Sequence, residues 1–409
     1  MFSFLNDLFC PSCPASITTE EAIMTPSSSQ PTLPLEIVLN IIEEAHNDDD
    51  THFLKQCALV CRDWSIPAQK LLFSSVYLAT QTSCDAFLAA VDPATPRGRM
   101  FADSVRRVKV VLDHNHPLGL SQQAFAHAVT ACPNLLELNL ALYGSASTAQ
   151  DLPELLRLGR SAEAFDDTIL QLLKAGPRIT TLQFSNWSEN HHSITQLLDV
   201  WPSLKTLTIG GLPPKLPACV GPFPCALEAL RMNFQTSPSV DFVKWLLHNS
   251  TSSLRVLELE REPSADLLEY LVDAHRENLS SLALPACTSH DHAFAVRRCE
   301  RLRELRIENP WVTPVLFKRL PAGIEHMALT LDQDAALQPV LDTARSSRSL
   351  KAITLQVWKN GELHAQLPVL KLVCAHRGIE LRITKDIQQF RSTVRNGRTH
   401  MTFSRVDEL

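Results

Sequence analysis

The chain has 409 residues and a net charge of −6, with 45% apolar and 20% charged residues. That supplies enough apolar material for more than one buried core, and the acidic balance speaks against a general nucleic-acid binder, which neutralises phosphates with clustered Lys and Arg. Glycine occurs only 12 times, about 3% of the chain, against a usual figure of about 7%. Loops that cradle phosphates need glycine for close backbone approach, so a nucleotide-dependent enzyme is disfavoured.

Residues 1–31 hold Pro11, Pro14, Pro26, Pro31 and the run Ser27-Ser28-Ser29, with little apolar periodicity after Phe9. This composition predicts a disordered leader. Within it, Cys10-Pro11-Ser12-Cys13 is half of a zinc knuckle without a second half. The first seven residues carry Asp7 and no basic cluster, so they do not read as a secretory signal, and no run approaches the length of a membrane span. The eleven cysteines are odd in number and scattered, which fits free thiols in a reducing compartment. A cytoplasmic or nuclear location without membrane attachment is expected. The terminal Val406-Asp407-Glu408-Leu409 and the Asn-x-Ser/Thr triplets at Asn186, Asn249 and Asn278 then read as chance matches.

Regular order is predicted from Leu33 onward. Apolar residues at Ile37, Val38, Ile41, Ile42 and Ala45 recur at helical spacing. The stretch Asn47-Asp48-Asp49-Asp50 ends that helix and offers capping oxygens to a second one through Phe53, Leu54, Cys57, Ala58 and Cys61. A third is read from Ala68, Leu71 and Leu72, with Val76 at its end. Three short helices in about 45 residues make a bundle too small to be very stable alone.

The strings Leu33-Pro34-Leu35-Glu36-Ile37, Cys57-Ala58-Leu59-Val60-Cys61-Arg62-Asp63-Trp64 and Leu71-Leu72-Phe73-Ser74-Ser75-Val76 resemble an F-box over residues 33–78. The resemblance implies a module that docks on the Skp adaptor of a cullin–RING ubiquitin ligase. Carried over by position, Leu33 and Pro34 start the docking surface, Ile37 and Ile41 continue it, and Leu59, Val60 and Trp64 complete it. The alternative is three helices packed only on their own neighbours.

From residue 102 the chain repeats. Apolar residues at places 1, 4 and 6 recur ten times, at Val105, Leu135, Ile179, Leu204, Leu227, Leu254, Leu279, Leu302, Ile324 and Leu350 as first residues, with Ile379 as a degenerate eleventh. Seven of the nine steps fall between 22 and 27 residues, and the longest, of 44, holds an insertion around 143–160. A period of about 20–29 residues on LxxLxL is the leucine-rich-repeat signature, a strand and a helix per unit. Helical patterns such as 240–247 and 265–272 lie between the strands. Prolines 133, 177 and 202 precede strands and stop the helices before them.

The expected fold class is α/β. A short three-helix F-box bundle (32–78) and a connecting helix or linker (79–101) lead into a leucine-rich-repeat horseshoe (102–389). The horseshoe has about ten to eleven strand–helix repeats on a parallel sheet, and a loosely packed or flexible C-terminal tail (390–409) follows, carrying Arg391, Arg395, Arg398 and Arg405.

No GxGxxG, GxxxxGK[ST], GxSxG or HExxH motif is present. The pairs His114/His116, His191/His192 and His290/His292 lack further zinc ligands at compatible spacing. No catalytic residue, cofactor or metal is therefore assigned. Binding is expected on the sheet positions between the core places: Arg107, Lys109, Glu137, Asn139, Thr181, Gln183, Thr206 and Thr208 early, and Arg231, Asn233, Glu258, Glu260, Glu304, Arg306, Glu308 and His326 later. Mixed signs suit a protein ligand better than nucleic acid, and neighbouring units set Arg231 beside Glu258, where they can pair with each other. The expected function is the target-recognition subunit of an SCF-type E3 ubiquitin ligase, itself non-catalytic, which the adaptor links to a cullin–RING ligase. The alternatives are a scaffold of the same build without a ubiquitination role and an α/β enzyme whose strand–helix alternation only mimics repeats, as a closed eight-stranded barrel or a reversed strand order would show.

Overall fold

The alternation of helix and strand formers along the chain resolves into three adjacent helices followed by one long sheet. The computed structural model describes residues 34–47, 50–144, 162–216 and 221–393. Helices α1 (Leu35–Asn47), α2 (Thr51–Val60) and α3 (Arg62–Phe73) follow one another with almost no linker. Asp50 caps α2 by accepting the Phe53 N–H at 2.9 Å, the role its position predicts. Val38, Ile42, Leu54, Cys57, Ala58, Ala68 and Leu71 form a small core of their own, separate from the main one.

The apolar residues at places 4 and 6 become the buried side of strands β2 (Arg107–Asp113), β3 (Glu137–Tyr143), β4 (Thr181–Trp187), β5 (Thr206–Gly211), β6 (Ala229–Phe234), β7 (Val256–Leu259), β8 (Ser281–Leu284), β9 (Glu304–Ile307), β10 (His326–Leu331) and β11 (Ala352–Val357), while those at place 1 are buried just ahead of each strand. The last strand, β12 (Glu380–Thr384), leaves Ile383 exposed. A further strand, β1 (Ser75–Leu78), precedes them. The described residues form one 12-stranded sheet, parallel throughout and in strict sequential order, as expected of stacked repeats. An enzyme fold with a reversed strand order is not what these residues adopt.

The helices between strands bring their apolar faces to the same core. Examples are α6 (Gln122–Thr130) with Phe125 and Val129, α9 (Val240–Leu246) with Phe242 and Val243, and α10 (Ala265–His275) with Leu267, Leu271 and Val272. Serine oxygens cap all three at their N-termini, from Ser121, Ser239 and Ser264. Gly211 closes β5 at φ +89°, where a Cβ would stand 2.0 Å from the Asn186 carbonyl oxygen, so only glycine fits. Asn186 itself is buried and donates to the Asn190 carbonyl oxygen at 2.9 Å, which leaves it unavailable as a glycan acceptor in the folded chain.

Two expectations need correction. Val76 does not extend the third helix, because Ser75-Val76-Tyr77-Leu78 alternates exposed and buried side chains and pairs with β2, Val76 facing Val108. The sheet therefore starts before residue 102, and the stretch 79–101 contributes α4 (Gln81–Ala90) and α5 (Pro96–Ser104), whose Phe87 and Phe101 belong to the main core. The second correction concerns the C-terminus. Residues 390–393 are not a loose tail, since they end helix α15 (Ile387–Thr393), in which Phe390 is fully buried against Ala328 of β10. The leader, Leu33, the insertion core 145–161 and residues 394–409 lie outside the described residues. Among the described residues no helix is long and apolar enough to cross a membrane.

Candidate interaction surfaces

The three-helix cluster fills a core of its own and also leaves large apolar side chains in water. Helix α1 buries Val38 and Ile42 yet exposes Leu35, Ile37 and Ile41. Helix α2 buries Leu54, Cys57 and Ala58 yet exposes Phe53, Leu59 and Val60, the last two by 58% and 61%. Ile66 of α3 is exposed as well. Seven large apolar side chains on about 40 residues exceed what so small a helical unit leaves in water without a use. Of the docking residues expected from sequence, Pro34, Ile37, Ile41, Leu59 and Val60 are exposed, and Trp64 is half-buried against the small core. Leu35, Phe53 and Ile66 join them, although helical periodicity marked only Phe53 as apolar-face material.

The sheet offers the second surface, on the side away from the core. In register, Lys109, Asn139, Gln183, Thr208, Arg231, Glu258, Ala283, Arg306, Ala328, Thr354 and Arg382 form one row across it. Its two halves differ. Over β2 to β5 the side chains are accessible and nearly neutral, with Arg107 paired to Glu137 at 2.8 Å and Lys109 lying 5.5 Å over the Tyr77 ring. From β6 to β9 they are drawn into one charged network. Arg231 Nε donates to Glu258 Oε1 at 2.9 Å, and Arg306 Nη2 to Glu258 Oε2 at 3.1 Å. Asn233 Nδ2 donates to Glu260 Oε2 at 2.8 Å. Glu258 and Arg306 are fully buried, so neither meets a ligand in this arrangement.

The missing member of the network was Arg391. Its Nε and Nη2 clasp Glu308 at 2.9 and 2.7 Å, Nη1 reaches Glu260 at 2.9 Å, and its carbonyl accepts from Arg306 Nη1 at 2.8 Å. Burial works against the Arg391 charge, but the Glu308 hydrogen bonds and the surrounding carboxylates outweigh it and hold the guanidinium above its ordinary pKa. Burial also raises the Glu304 carboxyl, with the Glu258 and Glu325 charges adding to it. Next in its row, His326 shares a 2.9 Å hydrogen bond with Thr354 Oγ1, and burial, helped by Arg382, lowers its pKa to about 4. The sheet register foretold the Arg231–Glu258 contact. Nothing local foretold Arg391, whose partners lie 83 and 131 residues away in the chain.

Groups able to do covalent chemistry are unremarkable in placement. Eight cysteines are described, all free, and only Cys61 is exposed. Burial pushes the Cys132 thiol up to about 12 and those of Cys84, Cys287 and Cys299 to about 11, which keeps them protonated and inert. Among the described residues no three His, Cys, Asp or Glu side chains gather as a group able to hold a metal ion. No protein-family model matches the chain, and no curated protein matches it either.

Proposed function

We propose that the chain is the target-recognition subunit of an SCF-type ubiquitin ligase, with helices α1–α3 acting as an F-box on a Skp adaptor and the sheet, as the inner wall of a repeat horseshoe, holding a target protein. The observation that carries the reading is the set of large apolar side chains left exposed on α1–α3. Ile37, Ile41, Leu59 and Val60 stand in water while their helical neighbours fill a separate core, as expected of a surface kept for a partner. The sequence strings that resemble an F-box lie on these same helices. Sequential parallel strands support the second half of the reading, because repeat stacking yields a broad, variable face for a protein ligand. In this reading the chain makes and breaks no bonds. It holds a lysine-bearing target near a charged conjugating enzyme and so raises the local concentration of one at the other. Purified full-length chain should co-elute with a Skp adaptor, and Leu33→Ala with Pro34→Ala should abolish co-elution while leaving the circular dichroism spectrum unchanged. Undiminished co-elution of that double variant would remove the docking assignment.

A further inference from the structure

Among the described residues, the C-terminal helix adds a third cation to the network on the sheet. Glu258, Glu260 and Glu308 bring three carboxylates, and Arg231 and Arg306 from the sheet bring two guanidinium groups, so Arg391 supplies the third. Its contact with Glu308 is bidentate, the geometry a planar guanidinium offers and an ammonium does not. Arg306 is wholly buried, yet its Nε stands 3.6 Å from Glu308 Oε1 and has no hydrogen-bond partner among the described residues. One residue before Arg391, the Phe390 ring fills a dry spot over Ala328. Helix α15 is thus anchored by two consecutive side chains, an aromatic and an arginine, on a helix of 7 residues that would not persist without them.

Beside this anchor lies an open groove of about 650 Å³ whose lining includes Glu308, Trp311, Asp332, Asp334, Trp358 and, from the helix, Ile387. Trp311 is 63% exposed, and Trp358, also exposed, carries the Lys359 ammonium 4.0 Å over its ring. Exposed tryptophans among carboxylates favour cationic and aromatic side chains, and the groove continues the acidic cradle rather than ending it.

We infer that the cradle of Glu258, Glu260, Glu308 and Arg306 is a recognition site for a helical segment bearing an aromatic–arginine pair, and that the chain's own Phe390–Arg391 occupies it until a target with the same pair displaces it. The seated helix is itself the template for the ligand. The inference rests on the receptor reading for the identity of the occupant as a target, but the cradle's chemistry stands apart from the adaptor. Tethered at an effective concentration of about 1 mM and with an intrinsic dissociation constant of about 10–100 μM, the chain's own pair weakens the apparent affinity of a competing segment about 10- to 100-fold.

The test uses full-length chain and a fluorescent peptide copying residues 386–393. Phe390→Ala with Arg391→Ala should raise peptide affinity at least tenfold over the wild type, measured by fluorescence anisotropy. Placing Ala at the arginine of the peptide, or adding Glu260→Gln with Glu308→Gln to the vacated chain, should abolish binding. Equal binding by wild-type and vacated chains, or by the two peptides, would overturn the inference. Should the vacated variant fold poorly, amide exchange in the wild type decides: excess peptide must speed exchange at 389–393, and unchanged exchange refutes displacement. Adaptor co-elution in the same samples separates the claims. Peptide binding without adaptor binding sinks the receptor reading alone, and the converse sinks the cradle alone.

Discussion

His275 offers the most quantitative test of how this chain is held together. It ends α10 wholly buried, its ring edge-on to Tyr270 at 6.4 Å, and neither ring nitrogen has a hydrogen-bond partner among the described residues. Burial alone lowers its pKa from 6.5 to about 4. The folded chain therefore binds fewer protons than the unfolded chain between these values. The stability tied to the neutral ring is fully present above pH 6.5, declines as the pH falls, and is spent near pH 4. At about 1.4 kcal/mol per pH unit the window holds roughly 3 kcal/mol. His275→Leu keeps a similar volume and removes the titration. It also removes a buried polar ring without partners, so a gain of about 1 kcal/mol is expected at pH 7. Stacked repeats can unfold in parts, so urea titrations should be followed by circular dichroism together with amide exchange in residues 265–275. The variant's advantage should widen from pH 7 to pH 4. Parallel pH profiles for variant and wild type would refute the reasoning, because a ring that titrates near 6.5 when folded contributes no such difference.

Three further outcomes follow from particular residues. Gly211→Ala should lower stability by about 1–3 kcal/mol by thermal melting, since φ +89° strains an L side chain and the new Cβ meets the Asn186 carbonyl. Asp50→Ala should cost about 1 kcal/mol through the lost cap on α2, seen as faster amide exchange in residues 51–60. Under native conditions a maleimide should label Cys61 rapidly while Cys57, Cys84, Cys132, Cys225, Cys287, Cys299 and Cys374 stay unmodified, as read by peptide mass spectrometry. Fast labelling of any of the seven would mean that the core opens readily.

The sheet was legible because its core obeys one rule repeated many times. Apolar residues at places 4 and 6 alternate with outward residues along each strand, and stacking fixes their register, so even the Arg231–Glu258 pair could be read from spacing. The strand β1 escaped because it follows α3 directly and carries only Val76 and Leu78 inward, too short for the template. The C-terminal helix escaped for a different reason. Arg391 among other arginines looks like a solvated charge, and only the three-dimensional path brings it to Glu260 and Glu308. In the helical cluster, periodicity marked apolar positions but not their direction. Adjacent Ile37 and Val38, or Ile41 and Ile42, point to water and core respectively, and that division comes from how α2 and α3 pack on α1.

The central claim is that the exposed face of α1 and α2 docks a Skp adaptor. Isothermal titration of purified full-length chain against adaptor tests it directly, with Ile37→Asp and Leu59→Asp as the paired variant. Both positions are exposed, so the variant should melt within a few degrees of the wild type. One-to-one binding by the wild type and none detectable by the variant are expected. Absence of binding by the wild type, or equal binding by the variant, would contradict the claim.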